Sequence, residues 1–331
     1  WVLGRLPSGQ KKKTSGNNMV TSEYAIECAS ISKSYGGVKA LEGLSFSVKK
    51  GEIFGFIGPD GAGKTSLFRI LTTLLLPDTG TAVVDGLDVV KDYKALRRIL
   101  GYMPGRFSLY QDLTVEENLQ FFAGIFQANI QENYYLIRDI YEQIAPFAKR
   151  KAGKLSGGMK QKLALSCALI HKPVVLVLDE PTTGVDAVSR REFWEMLIRL
   201  KKDGITIVVA TPYMDEATLC DRVALIQHGK ILATDTPQAI TNAFPWQLFE
   251  VKSTDTLNLI HLLKEHPEVH NADMFGETVH VSADPGRISA DDLLSYLREH
   301  GHPQAEVNPG HPGIEDCFID LMRLTKEQQA N

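Results

Sequence analysis

The most specific chemistry in this sequence lies in Gly58-Pro59-Asp60-Gly61-Ala62-Gly63-Lys64-Thr65, with Ser66 following. The spacing is G-x-x-x-x-G-K-T, that of a phosphate-binding loop. Glycines let backbone N–H groups converge on phosphate oxygens with no side chain in the way. Lys64 is expected to reach β- and γ-phosphates, and the Thr65 hydroxyl to ligate Mg²⁺. A second pair of groups stands far along the chain, where the apolar run Val174–Leu178 ends in Asp179 and Glu180. Asp179 is expected to hold the metal, directly or through water, and Glu180 to orient or deprotonate an attacking water. The pattern points to a protein that binds a nucleoside triphosphate.

A further anion-binding surface is written in Leu155-Ser156-Gly157-Gly158, with Gln161, at the start of an apolar helix. Two phosphate-seeking helix ends in one chain make sense if the second closes over a nucleotide held by another copy or a partner. Tyr35, in Ser34-Tyr35-Gly36-Gly37 ahead of the loop, is a candidate to stack on the adenine ring; an ordinary strand-end aromatic is the alternative.

These residues need scaffolding. Ile53–Ile57 reads as a buried strand entering the phosphate loop, and Ser66–Leu71 as the helix leaving it. The run Val174–Leu178 has no polar alternation, so it reads as a strand buried on both faces of a parallel sheet. Ala25–Ala29 and Leu44–Val48 read as strands before the loop, with Ser32–Val38 between them. Thr114 with Glu117 forms a capping box ahead of a mostly helical stretch from 118 to about 150. After Pro245-Trp246 the order is strand, helix, strand, strand, helix, strand, helix; the first six elements resemble a split, ferredoxin-like unit. This tail holds no phosphate loop or acid cluster. Its seven histidines lack metal-ligand spacing and read as non-ligands.

Composition sets outer bounds. A chain of 331 residues suits one large domain or two. Net charge of −4 gives no sign of nucleic-acid affinity. No apolar run approaches the roughly 20 residues of a membrane-spanning helix, so a membrane role is expected to be peripheral. Four scattered cysteines fit a reducing compartment better than a disulfide framework. Residues 1 to about 22, with Lys11-Lys12-Lys13, read as a flexible, solvated leader; the start at Trp1 suggests a fragment or a processed end.

In order and spacing, the Walker A loop, Leu-Ser-Gly-Gly signature, Walker B Asp179-Glu180 and Thr183-Gly184-Val185-Asp186 resemble ABC-transporter ATP-binding domains. The resemblance covers about residues 25 to 240, and Tyr213-Met214-Asp215-Glu216-Ala217 resembles the bacterial exporters that serve ABC-2-type permeases. It implies an α/β fold: a P-loop NTPase of ABC type, with a mixed sheet core and a helical lobe, at 23–243, followed by a small α+β ferredoxin-like appendage or linker at 244–331. It implies ATP and Mg²⁺ as ligands, with Leu155, Ser156, Gly157, Gly158 and Gln161 facing a partner's ATP and Asp186 in the D-loop. A second ABC ATPase domain is implied as partner, as homodimer, heterodimer or tandem fusion in which this chain is the first half. A transmembrane permease is implied, and a location on the cytoplasmic face of the membrane; nucleic acid is not.

Two positions depart from the family. Gly105 stands at the Q-loop glutamine, with Gln111 six residues late, and Pro212 stands at the switch histidine, with His228 on a later turn. Neither glycine nor proline offers a side-chain hydrogen bond. The chain's own Walker site is therefore expected to turn ATP over slowly while its signature serves a partner site. The Gly105–Tyr110 loop is expected to touch the permease, with Phe107 and Tyr110 as contact aromatics or, alternatively, packed on the helical lobe. A non-transport soluble ABC ATPase and a purely regulatory ATP-binding module are the competing functions.

Overall fold

The computed structural model describes residues 22–106 and 109–330, and side chains through residue 325. The leader with Lys11-Lys12-Lys13, and Phe107, lie outside the described residues. The chain opens as a long antiparallel hairpin, β1 (Tyr24–Tyr35) and β2 (Val38–Lys49), closed by Gly36 and Gly37 at φ 53° and 89°. Sequence reading gave much shorter strands. Register shifts interrupt the pairing, and Ser30 sits at φ 51°, so the two-residue alternation is broken midway.

β3 (Ile53–Ile57) follows, buried at every position, and leads through the glycine loop into α1 (Lys64–Leu71). β4 (Thr79–Val84), β5 (Leu87–Asp88), α2 (Tyr93–Ile99) and β6 (Leu100–Met103) come next. The helical lobe holds α3 (Val115–Phe126), α4 (Ile130–Tyr141) and the start of α5 (Gly157–Leu169). Thr114 and Glu117 form the expected capping box on α3. Then come β7 (Val175–Asp179), α6 (Ala187–Lys202), β8 (Thr206–Thr211), a 3₁₀ turn at Met214–Leu219, β9 (Arg222–Gln227), β10 (Lys230–Asp235) and α7 (Pro237–Asn242).

Two sheets result. The antiparallel one runs β2-β1-β4-β5; the other runs β10-β9-β3-β8-β7-β6, parallel except for β10. β3, β7 and β8 are buried along their whole lengths, as unbroken apolar runs require. One apolar core joins the two sheets and α1, including Phe46, Phe54, Phe56 and Phe68. A second lies on the far face of the parallel sheet, under α3 to α6. The glycine loop after β3 and the Asp179-Glu180 segment at the end of β7 both leave the carboxyl ends of central strands, where side chains from distant sequence meet.

The tail is β11 (Gln247–Lys252), α8 (Thr256–Glu265), β12 (Val269–Phe275), β13 (Thr278–Ala283), α9 (Ala290–Glu299), β14 (Glu306–Pro309) and α10 (Ile314–Ala330). Its sheet order is β12-β13-β11-β14, antiparallel throughout, which is the ferredoxin-like arrangement. It has its own core around Phe249, Val281 and Leu293. α10 looks two ways. Ile314, Cys317 and Phe318 join the core beneath the parallel sheet, while Asp316 meets His280 at 2.8 Å. Asp320 accepts the Trp246 indole N–H at 2.9 Å, and that ring stacks on His270.

Candidate functional site

The loop after β3 curls over Lys64. The ammonium is 3% exposed and donates to the carbonyls of Gly58 (2.7 Å) and Pro59 (2.9 Å). Its other neighbour is the Glu180 carboxylate at 3.9 Å. Burial lowers the Lys64 pKa, while Glu180, Asp60 and Asp179 act to keep it charged. Two glycines are sterically required. A Cβ on Gly58 would lie 2.0 Å from the Ile226 carbonyl oxygen. Gly63 sits at φ +104°, where a Cβ would come 2.4 Å from the Ala40 oxygen.

α1 begins at Gly63 with no side-chain cap and no acid in its first turn. Its positive end is therefore left for an outside anion. By contrast, Ser156 caps α5, and Asp186 caps α6 through the N–H groups of Val188 and Ser189. Pro59, Asp60 and Gly61 are exposed around this end, whereas Ala62 is buried beneath it.

Thr65 and Asp179, 114 residues apart, meet in a hydrogen bond of 3.2 Å, hydroxyl to carboxylate. Asp179 is 2% exposed, and burial pushes its carboxyl above the ordinary range; the Thr65 bond opposes this and the Glu180 charge adds to it. A hydroxyl and a buried carboxylate side by side suit a hard divalent cation such as Mg²⁺. Glu180 follows in the left-handed region at φ 49°, held by its N–H to the Ala210 carbonyl at 2.8 Å. That conformation costs a non-glycine residue about 1–3 kcal/mol and aims the carboxylate beside Lys64. Tyr35 reaches the same neighbourhood. Its ring is 46% exposed, and its hydroxyl lies 3.3 Å from Ser66 Oγ on α1.

The signature and D-loop form a separate exposed face. Ser156 and Gly157 are exposed, as is Asp186. A Cβ on Gly158 would lie 2.9 Å from Ser189 Oγ, so the two segments pack directly. Leu155 and Gln161 differ from expectation. Leu155 is buried, and Gln161 is fully buried with its amide donating to the Pro181 carbonyl at 2.6 Å. Neither can touch a nucleotide from another molecule. Gln161 instead ties α5 to the segment after Glu180.

Gly105 lies beside this same segment: a Cβ there would be 3.2 Å from the Asp179 carbonyl oxygen. Gln111 is exposed and turns its amide onto its own Leu109 carbonyl. His228 is exposed on the β9–β10 turn. Pro212 follows β8 directly, and Thr211 before it donates to the buried Glu216 at 2.6 Å.

Sequence reading missed several supporting residues. Asn118, fully buried on α3, accepts the Tyr110 N–H and donates to the carbonyls of Tyr110 and Thr114. Arg190 stacks its guanidinium on Tyr213 at 4.2 Å. A lone polar residue in a helix carries no signal of either contact. Tyr110 itself packs edge-on against Phe121 at 4.5 Å and stays 48% exposed, so lobe packing is realised without hiding the ring. Behind it lies a groove of about 350 Å³ lined by Leu74, Tyr102, Leu109, Phe122, Ile125 and Phe126 among others. Burial also pushes the Tyr102 hydroxyl up to about 12, and the Asp179 charge adds to the rise. Among the described residues no helix is long and apolar enough to cross a membrane.

Comparison with known proteins gives a consistent result. The family profile for ABC transporters matches residues 41–183. A probable multidrug ABC transporter ATP-binding protein of Escherichia coli K12, YbhF, is 40% identical over 86% of this chain and 49% of its own length. The chain thus spans about half the length of that relative. Nod factor export ATP-binding protein I of Mesorhizobium japonicum is 36% identical, over 99% of this chain and 95% of that protein. Daunorubicin resistance ATP-binding protein DrrA2 of Streptomyces coeruleorubidus is 32% identical over 93% and 97%. Among solved structures, an ATP-binding subunit of an ABC transporter superposes with TM-score 0.61 at 26% identity, covering 66% of this chain and 93% of that one.

Proposed function

The chain belongs to the ABC transporter family of ATP-binding proteins, and from that premise we propose that it is the ATP-binding, ATP-hydrolysing subunit of an exporter, driving a separate transmembrane permease. The observation that carries this is the convergence of Lys64, Thr65, Asp179 and Glu180 at one point, beside an uncapped helix end. Lys64 and the loop N–H groups bind the β- and γ-phosphates, and Tyr35 takes the adenine. Thr65 and Asp179 hold Mg²⁺, which offsets phosphate charge when bound. Glu180 orients the attacking water and accepts its proton.

The exposed Ser156–Gly157 turn and Asp186 support pairing with a second ATPase domain, whose nucleotide they cap. The groove beside Tyr110 supports docking of a permease segment. The ferredoxin-like sheet, bracketed by α10, is a regulatory or dimer-supporting appendage at 244–331, after an ATPase domain at 23–243. Relatives named for multidrug transport, Nod factor export and daunorubicin resistance support export, at the inner face of the cell membrane.

We further propose that the chain's own site hydrolyses slowly. Gly105 borders the Asp179 carbonyl with no side chain, and Pro212 follows β8 without a donor. Losing one group that positions the reacting phosphate costs on the order of 10²-fold in rate. The purified chain should bind Mg-ATP and turn it over weakly, and Glu180→Gln should remove what remains. Turnover at the rate of an ordinary ABC ATPase, abolished by Glu180→Gln, would refute slow hydrolysis; absence of ATP binding would refute the whole reading.

A further inference from the structure

The first turn of α6 carries an unfinished contact. Arg190 projects from it onto the segment that follows β8. Its guanidinium lies 4.2 Å over the Tyr213 ring, 3.6 Å from Asp215 and, through Nε, 3.8 Å from Glu216 Oε1. Arg190 Nε and Glu216 Oε1 are both buried and neither has a hydrogen-bond partner within the protein. Glu216 is 1% exposed, and its other oxygen already accepts Thr211 Oγ1 at 2.6 Å. A buried charged donor and acceptor facing each other just beyond bonding distance are costly to leave apart.

The residues on either side give this gap a meaning. Upstream, Arg190 N–H bonds the Asp186 carbonyl at 2.9 Å, and Ser189 abuts signature Gly158. The turn is therefore packed against the signature and joined to the D-loop. Downstream, the Thr211 carbonyl accepts the N–H of Gly58 at 3.3 Å, the first glycine of the phosphate loop. A line of neighbours runs from Asp186 through Arg190, Glu216 and Thr211 to Gly58, open only at the 3.8 Å step between Arg190 and Glu216, and it passes Pro212, whose side chain offers no hydrogen bond.

We propose that Arg190 is a positioning residue for ATP hydrolysis, closing its Nε–H onto Glu216 when nucleotide engages the site and so fixing the segment after β8 against the phosphate loop. This rests on the ATPase reading above. The planar guanidinium is needed for both contacts, stacking on Tyr213 and facing Glu216, so lysine is a poor substitute.

Hydrogen exchange on the full chain, with and without Mg-ATP, tests this without requiring fast turnover. ATP should slow exchange in the phosphate loop and in residues 213–219. In Arg190→Met the phosphate loop should be protected as before, while protection of 213–219 falls at least fivefold. Single-turnover hydrolysis with excess protein should slow about tenfold, ATP affinity should stay within twofold, and Arg190→Lys should not restore the rate. Glu216→Gln combined with Arg190→Met should be no slower than the worse single variant. Equal protection of 213–219 in wild type and Arg190→Met would overturn the inference, as would recovery of rate by lysine. If ATP fails to protect the phosphate loop even in wild type, the ATPase reading itself fails.

Discussion

Lys64→Ala is the most direct perturbation of the nucleotide site. The wild-type ammonium is buried, bonded to two loop carbonyls, and has Glu180 at 3.9 Å as its nearest carboxylate. Burial lowers its pKa, so the protein holds a cation that is under-solvated until an anion arrives. A hydrogen bond to a charged group contributes about 1.5–3 kcal/mol net, a factor of roughly 10 to 150 in affinity. Two such bonds pass to phosphate oxygens when ATP binds, but the Gly58 and Pro59 bonds are given up. Because bonds are exchanged rather than added, the net expectation is about one such increment, or up to about 10²-fold weaker Mg-ATP binding. Asp179 loses a favourable charge in the variant, so its already raised pKa rises further and metal-dependent binding weakens too. Isothermal titration of Mg-ATP into wild type and variant, with far-UV dichroism to verify folding, measures the difference. A folded variant with Kd within threefold of wild type would refute the phosphate role of Lys64. Lys64→Arg should not rescue, because the carbonyls at 2.7 and 2.9 Å leave no room for a fork.

Other outcomes follow from the same geometry. Tyr35→Ala should weaken ATP binding by about 1–3 kcal/mol, the contribution of base stacking on an aromatic, and leave triphosphate binding alone unchanged; competition between ATP and inorganic triphosphate checks it. Gly58→Ala puts a Cβ 2.0 Å from the Ile226 oxygen, backbone against backbone, so urea denaturation should show a loss of about 3 kcal/mol or more. Trp246→Phe removes the indole bond to the buried Asp320 and should cost about 1–3 kcal/mol, seen calorimetrically as an earlier transition of the C-terminal sheet. The four free thiols are buried: burial pushes Cys28, Cys167 and Cys220 far above the ordinary thiol range and Cys317 up to about 12. The native state keeps these protons while the unfolded chain releases them near pH 8.5, so this stabilisation is full below pH 8.5 and is lost as pH rises beyond it. Melting temperature should therefore fall from pH 8 to pH 10, and a thiol reagent at pH 8 should titrate the cysteines only after denaturation.

The phosphate loop, the acids at the end of β7, the signature turn and the ferredoxin-like order of the tail were all legible in the residues. Each is local: a glycine is needed where N–H groups converge or backbones touch, an unbroken apolar run marks a strand buried on both faces, and Ser156 or Thr114 caps the helix it precedes. Side-chain partnerships across the chain were not legible. Nothing in the sequence says that Gln161 spends its amide on Pro181, that Asn118 holds Tyr110, or that Arg190 faces Glu216, because a polar residue on a helix has the same local energetics whichever way it turns. Even the length of β1 and β2 was hidden, since register shifts erase the alternation that marks a strand. Local backbone and burial preferences decided the chemistry available to this chain; the packing of α5, α6 and α10 against distant loops decided which side chains can reach it.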